Sequence, residues 1–316
     1  MIIYIAKHCF IDFSSLIKSF GVFPKSIHYA RICRQKKITH IHAHWATIPT
    51  LTAIIISRLN EIPFSVTAHA IDIFENNTMI EEKLSAARFI VTCTKDNKNY
   101  LTENFSKIES KKILINYHGI DLEKFQRKTV RNSNPINILS VGRIETSKGY
   151  PFLIEACKNL KTGYAPIRCT IIGDGPKKRQ VEQLIRKSGL NDCINMTGAL
   201  PMDEVIKYYE ESDIFVLSAV SQFHWGIPNV IIEAMAMELP VITTPLPAMK
   251  ELIQNERHGI IIPEKDSKTL ADEILKLVES KELRIRIGRG GRERVKQLFD
   301  IDKTISELID IYEKWI

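Results

Sequence analysis

Short apolar runs alternate with longer segments of helical periodicity along nearly the whole chain. The runs at 38–45 (ITHIHAHW), 64–69 (FSVTAH), 89–94 (FIVTCT) and 113–118 (ILINYH) predict strands, and the segments at 48–60, 78–86 and 95–105 predict helices between them. A polar, basic, turn-rich stretch at 126–135 (QRKTVRNSNP) reads as a linker. The rhythm then restarts, with strands at 136–143, 167–173, 193–198, 213–220, 240–244 and 258–263. Helices are predicted at 149–161, 176–188, 202–211, 229–238, 267–280 and 281–298, and a last one at 302–316. Such alternation defines an α/β chain with parallel sheets. The second series makes a complete doubly wound domain. The first has four clear strands.

The first 37 residues fit this rhythm less well. MIIYIA is compatible with a short strand. The segments 10–23 and 27–33 mix apolar, aromatic and basic residues, which suits either a membrane surface or ordinary core-facing helices. Charge bears on this choice: the net charge is +7, and residues 1–40 hold seven Lys/Arg against the single acid Asp12. Residues 281–296 hold seven Lys/Arg against two Glu. Anionic lipid, nucleic acid and a phosphorylated substrate all use such patches, but no nucleic-acid motif accompanies them, so no nucleic-acid partner is expected. No run approaches the ~20 apolar residues of a spanning helix. The apolar start ahead of Lys7 is too short for an export signal. The expectation is a cytoplasmic protein that rests on the inner face of the cell membrane. The six cysteines form no C-x-x-C pair and read as small buried hydrophobes in a reducing compartment, so no metal site is expected.

The richest stretch is 226–244, GIPNVIIEAMAMELPVITT. With the apolar run before it, it reads as strand, loop, helix, strand. Pro228 opens the helix and Pro240 stops it. Glu233 lies a turn inside, among residues that look buried, where a carboxylate needs a partner. The start of this helix faces the carboxyl ends of the strands, where free N–H groups suit phosphate. Arg143 ends one strand and Lys148 stands just before the next helix; two cations and a helix N-terminus make a diphosphate site without metal. His69 ends a strand of the first domain, and His42 and His44 end its neighbour. His42 and His44 are expected to point in opposite directions, so that one of them joins His69. No third metal ligand has clear spacing. Asp174, in GDGP, reads as a turn residue.

The strings SVGRIETSKG, IIGDGP, TGALPMDEVIKYYEESDIFVLS and GIPNVIIEAMAMELPVITT together resemble the donor half of retaining glycosyltransferases of family 4. The earlier HIHAHWATIPTLTAIIISRLNEIPFSVTAHAIDIF and NYHGIDLEKF look like the subgroup that builds bacterial surface polysaccharides. The resemblance implies the GT-B fold, two Rossmann-like doubly wound domains facing across a cleft. Residues 1–130 would be the acceptor-side domain, incomplete here, with the helix at 302–316 packing back on it. Residues 131–301 would bind the donor, a nucleoside-diphosphate sugar, without a cofactor. By position, Arg143 and Lys148 match the pair that holds the donor diphosphate and stabilises the leaving group. Glu233 matches the second acid of the E-x7-E motif, which binds the ribose hydroxyls. Gly226, Ile227, Pro228 and Asn229 match the loop that approaches the sugar phosphate. Gly142, Gly173, Gly175 and Gly198 fall at turns lining the donor pocket. His69 matches a first-domain His that touches the donor sugar near the reacting carbon, so His69, Arg143, Lys148 and Glu233 form the catalytic set.

Several positions depart from the family pattern. Trp225 stands where the first acid of E-x7-E belongs, Glu238 where a Gly usually follows the AMAM run, and Leu217-Ser218 in place of Pro-Ser. The family's opening strand and Gly-rich loop have no counterpart, so the N-terminus reads as truncated. The leading expectation is transfer of a hexose, with retention, to a polysaccharide or lipid-linked glycan. A non-catalytic protein that binds nucleotide sugar and, third, a nucleotide-sugar epimerase are the alternatives.

Overall fold

The structure, a computed structural model, describes residues 13–128, 133–163, 165–221 and 226–316, and side chains from residue 21 onward. The chain divides into two compact units. One runs to His118 and takes in Thr304–Ile316; the other is Gly119–Lys303. The division falls before the polar stretch at 126–135, where the sequence alone suggests it. The cause is a short parallel pairing: Ile120 N–H donates to Phe299 O at 2.7 Å and Ile301 N–H to Ile120 O at 3.1 Å. Phe125 is buried beside Tyr209, and Arg127 donates to Ser212 O at 2.6 Å.

In the first unit α1 (Phe13–Gln35) precedes β1 (Ile41–His44), α2 (Ile48–Asn60), β2 (Phe64–Ala68), α3 (Ala70–Phe74), α4 (Ile80–Ser85), β3 (Ile90–Thr92), α5 (Lys95–Asn104) and β4 (Ile113–Ile115). The four strands pair in chain order, all parallel. Crossovers that all step the same way keep their helices on one face. That face carries the core, with Ala43, Val66 and Ile90 against Ile54, Leu84 and Leu101. The last helix of the chain, α13 (Ile301–Trp315), supplies Tyr312 and Trp315 to His42 and Phe89. α1 is a single helix with Pro24 inside it. Its described side chains Ser26 and Ala30 are buried, and Asn60 of α2 donates to Ala30 O at 2.7 Å. Here the core-facing reading holds; residues 1–12, including the expected short strand, lie outside the described residues.

The second unit runs β5 (Ile136–Val141), α6 (Tyr150–Thr162), β6 (Ile167–Ile172), α7 (Lys178–Lys187), β7 (Ile194–Gly198), α8 (Met202–Glu211), β8 (Ile214–Leu217), α9 (Asn229–Ala236), β9 (Val241–Thr243), α10 (Met249–Leu252), β10 (Ile260–Ile261), α11 (Ser267–Glu279) and α12 (Lys281–Leu298). All six strands are parallel, in the order β10-β9-β8-β5-β6-β7. The chain builds outward from β5 in one direction and from β8 in the other. The order therefore reverses between β5 and β8, as in a doubly wound nucleotide-binding sheet. β8 and β9 are buried at every residue, which is why their sequence is continuously apolar.

α9 ends two residues before the expected limit at 238, and Pro240 is not what stops it. Leu239 N–H donates to Ala234 O and Glu238 N–H to Met235 O, each at 3.0 Å, which closes the helix in a Schellman motif. Glu238 occupies the left-handed position with φ 56°. Glycine takes that conformation without the ~1–2 kcal/mol that a side chain costs there. Glu238→Gly is therefore expected to stabilise the protein by about 1 kcal/mol, read as a higher denaturant midpoint at unchanged m-value.

Candidate functional site

The carboxyl ends of β5 and β8 flank the reversal of strand order, the position where open α/β sheets take ligands. The loops that leave these two strands are bound together. Ser218 Oγ donates to Gly149 O at 3.0 Å, and Val220 N–H donates to Ser147 O at 2.9 Å. Gly149 has φ 66°, and a Cβ there would stand 1.8 Å from Ser218 O. Ser218, Ala219 and Val220 are buried because they form this seam; they do not extend β8, as their sequence suggests.

Arg143 and Lys148 rise from the loop after β5 in different environments. Arg143 is exposed, with Nε 3.4 Å from Glu145 Oε2. Lys148 ends a short 3-10 turn, Thr146–Lys148. It is half-buried, and burial pulls its ammonium below the usual lysine range while Glu145 pulls the other way. Glu145, absent from the sequence-based set, thus organises the loop; its Oε1 also accepts from Ser147 Oγ at 2.7 Å. The loop after β8 reaches α9 through Gly226, Ile227 and Pro228, all half-buried, with Pro228 as N-cap. The N-cap Pro228 supplies no side-chain hydrogen bond to the start of α9, and Asn229, its first residue, is exposed. Such an end carries partial positive charge and N–H donors. Trp225 lies outside the described residues.

Glu233 has the partner its burial demands. Tyr209 of α8, fully buried, donates its hydroxyl to Glu233 Oε2 at 2.9 Å. Burial raises the Glu233 carboxyl above the usual range, and the Tyr209 hydrogen bond opposes that rise. The Tyr209 hydroxyl is held well above the ordinary phenol range by its own burial and then by the Glu233 charge. The sequence carried one cue to Tyr209, an aromatic on the apolar face of 202–211.

Gly142 follows β5, Gly173 and Gly175 follow β6, and Gly198 ends β7; the backbones there touch. Gly173 N–H donates to Gly198 O at 2.8 Å, and a Cβ on Gly173 would stand 1.9 Å from Gly142 O. Asp174 is a turn residue: it accepts from Gly175 N–H and pairs with Lys178 at 2.8 Å. A cavity of about 540 Å³ opens beside the Gly142–Gly149 loop, bordered by Glu145, Gly149, Phe152, Lys177, Val220 and Lys265. Arg143, Lys148 and Glu233 do not line it, so strand order and charge place the candidate site, not that cavity.

The first unit concentrates imidazoles at the carboxyl edge of its sheet. His69 follows β2 and caps α3. Buried Asp72 accepts from His69 N–H and Ala46 N–H at 3.0 Å each, which ties the ends of β1 and β2 together. His69 Nε2 lies 2.9 Å from His44 Nε2, and Trp45, at φ 90°, sets its ring 4.4 Å from that of His69. Burial, then the neighbouring His118 and His44, pull His69 down to about 4. The expectation for His42 and His44 needs correction. Positions two apart on a strand share a face, and their rings stand 6.4 Å apart. His42 bonds Ser65 and Thr67, so it is a satisfied structural residue.

The basic run of α12 is partly structural. Arg284 is buried and donates to Leu277 O; Arg292 donates to Ala236 O and Phe125 O; Arg294 donates to Glu251 O at 2.6 Å. Lys281, Arg286, Arg289 and Lys296 are exposed. Among the described residues no helix is long and apolar enough to cross a membrane.

The family model of glycosyl transferases group 1 matches residues 121–294, more than half of the chain, and the protein belongs to that family. It is 33% identical over 210 residues to the amylovoran biosynthesis glycosyltransferase AmsK of Erwinia amylovora, across 65% of this chain and 51% of AmsK. It is 31% identical to the putative colanic acid biosynthesis glycosyltransferase WcaL of Escherichia coli, across 63% of this chain and 51% of that protein. The chain thus spans about half the length of these curated relatives. A glycosyltransferase structure from Rickettsia africae superposes with a TM-score of 0.80 at 21% identity, covering 93% of this chain and 81% of that one. Anabaena HepE, solved in complex with UDP, gives 0.78 at 15% identity, with 92% and 82% covered. The fold is GT-B, as the sequence resemblance implies.

Proposed function

We propose that the protein is a retaining hexosyltransferase of bacterial polysaccharide assembly, with a nucleoside-diphosphate sugar as donor and a polysaccharide or lipid-linked glycan as acceptor. The observation that carries this reading is the β5/β8 switch point: Arg143 and half-buried Lys148 stand in the loop after β5, and the loop after β8 leads into α9, which carries Glu233 in its bond with Tyr209. Anabaena HepE, of like fold, is solved with UDP and with UDP-glucose, which makes these the first ligands to try. In this reading Lys148, Arg143 and the N–H groups of Asn229 and Val230 hold the diphosphate. Gly142, Gly173, Gly175 and Gly198 let the base approach the backbone. Glu233 accepts from the ribose hydroxyls, and His69 touches the donor sugar. The bond from the anomeric carbon to the diphosphate oxygen breaks. The acceptor hydroxyl attacks the same face, and its proton passes to the leaving phosphate. The cations take up the charge of that leaving group, so the reaction as written needs no metal.

Ribose hydroxyls bind the ionised carboxylate, so affinity for UDP should rise as pH rises through the Glu233 pKa. Tyr209 lowers that pKa. Tyr209→Phe should therefore shift the rise to higher pH. Titration calorimetry across pH checks this; an unchanged profile would remove Glu233 from the ribose.

Trp225 in place of the first motif acid favours a second reading, binding of nucleotide sugar without transfer. UDP-glucose binding with neither transfer nor hydrolysis would support it. We further place the exposed basic residues of α12 on the anionic inner face of the membrane. The chain should co-sediment with phosphatidylglycerol vesicles at low salt and be released as salt screens the contact; failure to sediment would remove that part.

A further inference from the structure

The edge of the first sheet carries a pattern of which the proposed function uses only His69. Each of its four parallel strands ends on, or within three residues of, a nitrogen or sulfur ligand: His44, His69, Cys93 and His118. Successive positions stand 25, 24 and 25 residues apart, the length of one βα unit. Ala68 pairs with Thr92 in the register, so His69 and Cys93 leave their strands side by side. The ligand atoms of His69, Cys93 and His118 lie within 4.8 Å of one another. Around a tetrahedral zinc ion, with bonds of ~2.0–2.3 Å, donors stand ~3.5 Å apart. The ligand atoms of exposed His118 and half-buried His69 and Cys93 must draw closer to reach that spacing.

We infer that the carboxyl edge of the first sheet is a site for a borderline-soft divalent cation of the zinc class, held by His69, Cys93 and His118. The outer groups needed for such a site are present. His44 Nε2 stands 2.9 Å from His69 Nε2, an outer partner for the central imidazole. Asn97 Nδ2 donates to Cys93 Sγ at 3.6 Å. Cys93 precedes the start of α5, whose N-terminus favours a thiolate. Two imidazoles and one thiolate select zinc or cobalt over magnesium or calcium. Three protein ligands leave one position open to water or another oxygen, as in reactive zinc sites. Asp72, buried behind His69, fixes the backbone from which the central ligand projects.

The inference is separate from the proposed function except at His69, which serves both. The test uses the full chain, stripped with a chelator and titrated with Co2+. A thiolate-to-cobalt charge-transfer band should grow to a single equivalent and be displaced by Zn2+. Cys93→Ser should abolish the band without altering the circular dichroism. His118→Ala should weaken Zn2+ binding strongly, and His44→Ala by about tenfold, as loss of an outer partner does. No band in the natural chain, or a band that survives Cys93→Ser, overturns the inference. UDP affinity is measured on the same metal-free sample. UDP binding without cobalt binding removes only the metal site, and cobalt binding without UDP binding removes only the nucleotide reading.

Discussion

Lys148→Ala should weaken UDP binding by about tenfold to a hundredfold, the ~1.5–3 kcal/mol of a hydrogen bond to a charged group. The half-buried ammonium is the stronger of the two loop cations because it is already partly out of water. Arg143 is exposed and paired with Glu145, so Arg143→Ala should cost less. The free protein should barely notice the loss of Lys148, with stability changed by no more than about 1 kcal/mol. Burial disfavours the charged lysine, Glu145 opposes that, and an arriving anion adds to the pull of Glu145. Calorimetry with UDP, beside chemical denaturation of the free variant, separates the two roles. A variant that unfolds easily yet binds UDP normally would make Lys148 a structural residue.

Gly149→Ala should be the most damaging small substitution in the second unit. Its Cβ would stand 1.8 Å from Ser218 O, and backbone cannot swing aside as a side chain can. Left-handed geometry adds ~1–2 kcal/mol to an overpacking cost of ~1–3 kcal/mol. The sum, about 3 kcal/mol or more, falls on the seam that joins the loops after β5 and β8. Gly189 supplies the control: its φ is 67°, but nothing lies within 4 Å of an added Cβ. Gly189→Ala should cost only the conformational part, about 1 kcal/mol. Denaturation of the two variants side by side measures the clash itself. Equal losses would mean that the seam is looser than the Ser218–Gly149 hydrogen bond implies.

Much of the second unit was legible in the sequence, because its central strands β8 and β9 are buried at every residue and its helices have one wet face. α8 and α12 fall where periodicity puts them. What periodicity misses is long-range. Ala219 and Val220 continue the apolar run of β8 but are buried in a loop seam, and local pattern cannot tell the two apart. Glu238 ends α9 from a left-handed position with none of the usual glycine, so no local signal marked the stop. Ile120 joins the second unit through a pairing with Asp300 far along the chain. The cations Arg143 and Lys148 were visible as residues that interrupt strand ends. Glu145 and Tyr209 were not, since each matters through a neighbour that only the fold supplies. At the first sheet's edge the inferred ligands follow three successive strands, a spacing that no short metal motif shares.

The most direct test of the central claim is a calorimetric comparison of UDP and inorganic diphosphate on the natural chain and on Glu233→Ala. If the β5/β8 switch point holds a nucleoside diphosphate, UDP binds the natural chain more tightly than diphosphate does. In Glu233→Ala the affinity for UDP falls by about tenfold or more, the cost of lost hydrogen bonds to a charged group, while diphosphate is held as before. Absence of UDP binding to the natural chain, or equal losses for both ligands in the variant, would contradict the account.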